Sequence, residues 1–191
     1  VVQTIRAFWA FELPEPVVEA VTQLQTELAR IFPHLRWVNS ANLHLTLHFL
    51  GDIHPSLVEK MLREFTPILQ KTPAPFMSLG KIGAFPRWSE PRVIWLSLTG
   101  NHTILRKIYG DTAAAIGKLG IPVDAARPYT PHITLARINT KLKPNFSGFA
   151  TMKDHPLPNL PGFYLGKLTL YASKLTPAGP IYTPLHSYHL K

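Results

Sequence analysis

Residues 42–51 read NLHLTLHFLG and residues 130–138 read TPHITLARI. Each holds a tetrapeptide of the form His-apolar-Thr-apolar: His44-Leu45-Thr46-Leu47 and, 88 positions later, His132-Ile133-Thr134-Leu135. Alternate side chains of a β-strand share a face, so His and Thr point one way and the two aliphatics the other. Each copy therefore offers an imidazole and a hydroxyl on one side and leaves its aliphatic side to pack into a core. With one copy in each half of the chain, two strands can bring two imidazoles to face each other across a cleft.

The tripeptide alone is weak. Nine His and sixteen Thr in 191 residues give about one chance His-x-Thr. A strand histidine is more often a structural residue bonded to backbone than a catalyst, and a strand threonine needs no special explanation. The weight comes from context. Both copies carry aliphatics at the intervening and following positions, and both fall on strand-like stretches.

Outward from the two motifs, the pattern mixes helices and strands. Residues 4–11 are β-branched and aromatic and predict a strand. Pro14 and Pro16 open a helix that runs to about residue 32, where Pro33 stops it. The first motif strand spans 43–49 and ends at Gly51-Asp52. Pro55-Ser56 opens a second helix. Residues 76–85 and 92–98 predict strands, with Gly80 and Gly83 marking a bulge or bend in the first. A third helix covers 102–119 and is closed by Gly120. Residues 124–131 form a loop that delivers the second motif strand, 132–138. The Pro-, Asn- and Gly-rich residues 139–162 hold one short strand near 146–152 and a mobile loop near 154–162. Strands at 163–172 and 182–190 follow, joined by a tight turn at 176–180. The order lacks the regular alternation of a doubly wound sheet. It predicts an α+β fold: one domain over 1–191, bilobal, with two mostly antiparallel sheets, helices outside, and pseudo-two-fold lobes flanking a central cleft.

The chemistry follows from the side chains. Imidazole titrates near ~6.5, so of two facing histidines one can be neutral and the other protonated at neutral pH. Such a pair can take a proton from water and give one to a leaving oxygen. A hydroxyl on the same face can donate to an anionic oxygen. Arg137 suits a phosphate. Strand parity puts it on the face opposite His132 unless the strand bends or ends first. His48 shares parity with His44 and Thr46 and so is expected near the site or at its rim. These parts describe metal-independent phosphodiester chemistry. A metal centre fits poorly, because the His44/His48 spacing suits a helix and no Asp or Glu lies near the second motif. His34, His54, His102, His155, His186 and His189 sit in turns, helix starts or the last strand and read as structural. No P-loop, dinucleotide fingerprint or nucleophile elbow is present.

Composition sets the partner class. Net charge is +9, from 20 Lys and Arg against 11 Asp and Glu, with modest basic concentrations at 87–92, 127–143 and 167–174. This favours a polyanion such as nucleic acid. The competing reading from another class is a basic RNA-binding module without turnover. No apolar run approaches the ~18 residues of a membrane span, and the first residues lack the layout of a signal peptide. With no cysteine to form disulfides, a cytoplasmic protein is expected.

Beyond this residue-level reading, the chain resembles the bacterial and archaeal RNA 2′,3′-cyclic phosphodiesterases, also called 2′-5′ RNA ligases, of the two-histidine phosphoesterase superfamily. The likeness runs from RAFWAFELPE through NLHLTLHFLGDI, PRVIWLSL and RPYTPHITLAR to LTLYASKLTPAGPIYTPLHSYHL. The paired His-x-Thr motifs mark the superfamily. Their flanks, together with the closing Leu-Tyr-x-Ser and a later Tyr, mark the family. The resemblance implies hydrolysis of a 2′,3′-cyclic phosphate at an RNA end to a 2′-phosphate, with the reverse joining of RNA ends through a 2′-5′ linkage also credited to the family. By this likeness His44 is the general acid toward the 3′ oxygen and His132 the general base for water. Thr46, Thr134 and Arg137 hold phosphate oxygens, and Phe49 lies near the substrate. It implies no metal or nucleotide cofactor, and RNA with 2′,3′-cyclic phosphate ends or cyclic nucleotides as partners. A monomer is expected, since no spare apolar helix or strand is evident. His48 departs from the small or apolar residue common in the family, which puts a third imidazole near the site and leaves the pH profile open.

Overall fold

The computed structural model describes residues 3–123, 128–139, 148–177 and 179–191. In chain order its elements are β1 (Ile5–Glu12), α1 (Glu15–Ile31), β2 (Arg36–Trp37), β3 (His44–Ile53), α2 (Ser56–Leu69), β4 (Phe76–Phe85), β5 (Val93–Gly100), α3 (His102–Lys118), β6 (His132–Arg137), β7 (Phe163–Tyr164), β8 (Lys167–Thr176) and β9 (Gly179–His189). Short 3-10 helices cover Ser40–Asn42 and Phe149–Asp154.

Among the described residues all strand pairings are antiparallel, in the order β7-β4-β5-β6-β3-β1-β8-β9, with β2 added beside β6. Each motif strand sits at the inner edge of its own set: β3 with β1, β8 and β9, and β6 with β2, β5, β4 and β7. The two sets meet at a single register pair, Leu45 opposite Ile133. That pair is the middle residue of each His-x-Thr tripeptide. The bilobal α+β arrangement is thus present, with the two antiparallel halves continuous through the motifs themselves.

The apolar side of the sheet is covered by the helices. Trp9 of β1 stacks on Phe65 of α2 at 4.9 Å and points its indole N–H at the Met61 sulfur. From α1, the buried Gln25 side-chain amide donates to the carbonyls of Val38 and Leu135, each at 2.9 Å, tying the segment after β2 to β6. α3 packs behind β3 through His48 and Thr112. The opposite face of the central strands carries the polar motif residues and stays open to water.

Four expectations are corrected by tertiary context. β3 does not end at Gly51 but runs on to Ile53, because Gly51, at φ 67°, carries the chain past the register shift opposite Ala7 and Phe8. Residues 163–172 do not form one strand. β7 pairs with β4 at one edge of the sheet, whereas β8 pairs with β1 and β9 at the other. Only Leu165 and Gly166 separate them, so the sheet must curl until its edges approach. The Leu190 amide donating to the Gly166 carbonyl at 2.8 Å and the Ala74 amide donating to the Lys191 carbonyl at 2.6 Å record that closure. The short strand placed near 146–152 is instead, where described, the 3-10 helix Phe149–Asp154. Gly148 enters it at φ 84°, and the buried Phe149 and Met152 share one side at the three-residue spacing such a helix requires. Residues 156–162, expected as a mobile loop, carry no regular structure but pack Leu157 and Leu160 against the core. Part of the 124–131 loop, residues 124–127, lies outside the described residues, as do residues 127 and 140–143 of the basic stretch at 127–143.

Candidate active site

The two motifs come together on the open face of the sheet, in a groove of about 1270 Å³. His44, Thr46, Phe49, His132, Thr134 and Arg137 all line it, so the groove gathers the six residues singled out in the sequence. Each imidazole is fixed in the same way. His44 Nδ1–H donates to the Asn42 carbonyl at 2.7 Å, and His132 Nδ1–H donates to the Thr130 carbonyl at 2.7 Å. A carbonyl has no proton to give, so both rings carry theirs on Nδ1 and leave Nε2 as the nitrogen available for proton transfer. His44 Nε2 lies 3.0 Å from the Thr46 hydroxyl.

The positions of Phe49 and Arg137 follow from a feature shared by both strands. On β3, His48 pairs with Trp9 and Thr46 with Ala10, which leaves Leu47 as an extra residue. On β6, Ala136 pairs with Ile94 and Thr134 with Trp95, which leaves Leu135 as an extra residue. Each is a β-bulge immediately after the motif threonine. A bulge puts two consecutive side chains on one face and reverses the alternation beyond it. Hence Leu47 and His48 are both buried, as are Leu135 and Ala136, while Phe49 and Arg137 return to the groove face. The parity objection to Arg137 is thereby removed.

His48 is corrected by the same bulge. It is not at the site or its rim but faces the core, 3% exposed. Its Nε2–H donates to the Thr112 hydroxyl at 2.8 Å, the Thr112 hydroxyl donating in turn to the Ile108 carbonyl at 2.6 Å. Its ring stacks on Tyr109 at 4.6 Å, and Tyr109 stacks on Tyr129 at 4.3 Å. Burial lowers the His48 pKa to about 4, so the ring is neutral at physiological pH.

Several residues around the imidazoles were not singled out individually. Phe8 of β1 packs against His44 at 5.1 Å, Tyr182 at 4.8 Å and Tyr171 at 5.4 Å. Phe85 meets His132 edge-on at 5.1 Å. Tyr129, in the loop entering β6, donates its hydroxyl to the Thr46 carbonyl at 3.0 Å, so the approach to one motif is bonded to the backbone of the other. Tyr171 is the tyrosine of Leu-Tyr-x-Ser and Tyr129 the first residue of YTPHITLAR; both carried a signal as pattern, and only packing gave them a place. Arg6, the first residue of RAFWAFELPE, and Arg36 also line the groove, and no local pattern marked Arg36.

The electrostatics are set by burial and by Arg137. Burial lowers the pKa of His44; the bond to the Asn42 carbonyl opposes this, and the charges of Arg137 and His132 add to it. Burial likewise lowers His132, opposed by the Thr130 carbonyl and reinforced by Arg137. Both imidazoles are therefore predominantly neutral near pH 7 in the ligand-free groove. Among the described residues no group of three or more His, Asp and Glu is arranged to hold a metal ion, and no helix is long and apolar enough to cross a membrane.

Known proteins share this fold. An RNA 2′,3′-cyclic phosphodiesterase of Aquifex aeolicus is 27% identical over 190 residues, covering 98% of each chain. The crystal structure of TT0787 of Thermus thermophilus superposes with a TM-score of 0.75 at 28% identity over 97% of this chain and 98% of that one. The crystal structure of E. coli LigT complexed with 3′-AMP superposes with a TM-score of 0.76 at 25% identity over 98% of both. The family described as LigT-like phosphoesterase matches residues 11–95 and 101–182. These two segments hold both motifs and most of the sheet, and the chain belongs to the LigT-like phosphoesterase family.

Proposed function

We propose that this phosphoesterase opens 2′,3′-cyclic phosphate ends of RNA to 2′-phosphates by metal-independent acid–base catalysis between His44 and His132. The observation that carries the reading is the matched anchoring of the two imidazoles. Each commits its Nδ1 proton to a carbonyl two residues back, so each presents Nε2 in the same groove as two hydroxyls and a guanidinium. Such a pair is built to move two protons in one displacement. The relatives named as RNA 2′,3′-cyclic phosphodiesterases support the substrate.

In the proposed reaction the cyclic phosphate lies against Arg137, Thr46 and Thr134. His132 Nε2 takes a proton from water as the water oxygen bonds to phosphorus. The bond from phosphorus to O3′ breaks, and protonated His44 delivers its Nε2 proton to that oxygen. The product is a 2′-phosphate beside a 3′-hydroxyl. The assignment of acid to His44 and base to His132 follows their positions in the family pattern. His44 must be protonated for its role, although its pKa is lowered in the empty groove. A bound phosphate supplies the missing stabilisation, since its negative charge offsets Arg137 and favours the imidazolium. A 5′-hydroxyl in place of water turns the same displacement into joining through a 2′-5′ linkage. Phe49, 69% exposed at the groove wall, offers a face to a nucleobase.

The test is turnover of an oligoribonucleotide ending in a 2′,3′-cyclic phosphate, with and without EDTA. The expected result is a 2′-phosphate product at equal rate in both. Salt-dependent binding without product would replace the enzyme with a basic RNA-binding module.

A further inference from the structure

β2 is only two residues long, yet it is held firmly. The Val38 amide donates to the Leu135 carbonyl at 2.9 Å, and the buried Gln25 amide bonds both the Val38 and Leu135 carbonyls. The result is that Arg36 lies directly opposite Arg137 across the β2–β6 pair. Cross-strand partners have Cβ atoms about 5 Å apart, and like charges in that relation are destabilising. Among the described residues no carboxylate lies within salt-bridge distance of either guanidinium; the ion pairs present involve Glu12, Glu27, Glu64, Glu90 and Asp111 with other partners. Both arginines are exposed and both line the groove. Two unneutralised guanidiniums held side by side beside the reacting groups provide more positive charge than one cyclic phosphate requires.

We propose that Arg36 contacts a second phosphate, the phosphodiester next to the cyclic end, and is thereby a specificity-determining residue for a charged chain beyond the reacting phosphate. The inference rests on the cyclic-phosphodiesterase reading above. A 2′,3′-cyclic phosphate uses both the 2′ and 3′ oxygens of the terminal ribose, so the chain continues only through its 5′ oxygen. The next phosphate is therefore the one on the 5′ side of the terminal nucleoside. Two long side chains from adjacent strands can diverge, Arg137 toward the scissile phosphate and Arg36 toward its neighbour. A guanidinium donates to such an oxygen through charge-assisted bonds that a neutral linkage does not support.

The experiment compares kcat/KM of the wild type and Arg36→Ala on three probes. They are 2′,3′-cyclic AMP, an ApA dinucleotide ending in a 2′,3′-cyclic phosphate, and the same dinucleotide with its internal linkage replaced by an uncharged methylphosphonate. The wild type should prefer the charged dinucleotide over the methylphosphonate, and Arg36→Ala should reduce that preference roughly ten-fold, with Arg36→Lys retaining part of it. A parallel loss on all three probes would place Arg36 on the scissile phosphate and overturn the inference. So would no change on any of them, the result expected if Arg36 only protects an edge strand from pairing. Failure of the wild type to open any of the three would instead sink the cyclic-phosphodiesterase reading itself.

Discussion

β3 and β6 are the same device built twice with different sixth residues. Along β3 the order is His44, Leu45, Thr46, Leu47, His48, Phe49; along β6 it is His132, Ile133, Thr134, Leu135, Ala136, Arg137. In both, the first and third residues face the groove and the second is the contact between the halves. The fourth and fifth turn inward at a bulge, and the sixth returns to the groove. The first four positions are chemically equivalent, so the halves supply two similar imidazoles and two similar hydroxyls. The sixth positions break the symmetry. β3 presents an aromatic face and β6 a guanidinium. On the proposed function, a substrate with a base at one end and a phosphate at the other is thereby given a direction, which a symmetric site would not provide.

The fifth positions differ as well. Ala136 fills its buried place without a polar atom, while His48 requires and has a partner in Thr112. The His48 imidazole therefore belongs to packing, and the pH behaviour of the groove rests on His44, His132 and Arg137.

The comparison can be broken at its strongest point first. His44→Ala and His132→Ala should each lower kcat by about 10² to 10⁴-fold while the circular dichroism spectrum is retained. Near-wild-type turnover by the double variant would end the two-imidazole account. Arg137→Ala should lower kcat/KM by about 10²-fold, as expected for one charge facing a reacting phosphate. It should also move the pH profile. Arg137 lowers both imidazoles, which shifts both limbs of the wild-type kcat/KM profile to the acid side; removing it raises both pKa values and moves the optimum toward alkaline pH. A rate loss with an unmoved profile would separate Arg137 from the two histidines.

Phe49→Ala tests the other half of the asymmetry. It should raise KM roughly ten-fold with a smaller change in kcat, because stacking holds substrate and transition state alike. A loss confined to kcat would place Phe49 in the chemistry instead.

His48→Gln should give the smallest change in activity, with the pH–rate profile kept. Its effect is on folding. The His48 pKa falls from the usual 6.5 to about 4 on folding, so the unfolded chain binds the proton more readily between these values. Stability contributed by the neutral ring is thus lost as pH drops from 6.5 toward 4. The variant should lose about 1–3 kcal/mol near neutral pH in urea titrations and show a flatter decline through that acid window. An altered pH–rate profile with unchanged stability would return His48 to the groove.

Much of the fold was legible because local periodicity dictates it. α1 starts and stops within two residues of Pro14 and Pro33, α2 starts just after Pro55, α3 stops two residues before Gly120, and the motif strands start at His44 and His132. The stretch 163–172 misled because a short apolar run does not say which partner will pair with it, and 146–152 because such a run does not separate a strand from a helical turn. Phe163–Tyr164 and Lys167–Thr176 look continuous in sequence, yet they are divided between opposite edges of the sheet.

Strand alternation is a local rule, so the two imidazoles, the two hydroxyls and the faces they share could be read from the chain alone. What lies beyond each threonine could not, because it depends on neighbours in space. A bulge is created by the register of a strand with its neighbour, β1 for one motif and β5 for the other, and register is not written in the strand itself. One inserted residue at Leu47 and one at Leu135 sent His48 into the core and brought Phe49 and Arg137 to the groove. Cross-strand pairing with β2 then set Arg36 beside Arg137, a neighbour 101 positions away that no periodicity could announce.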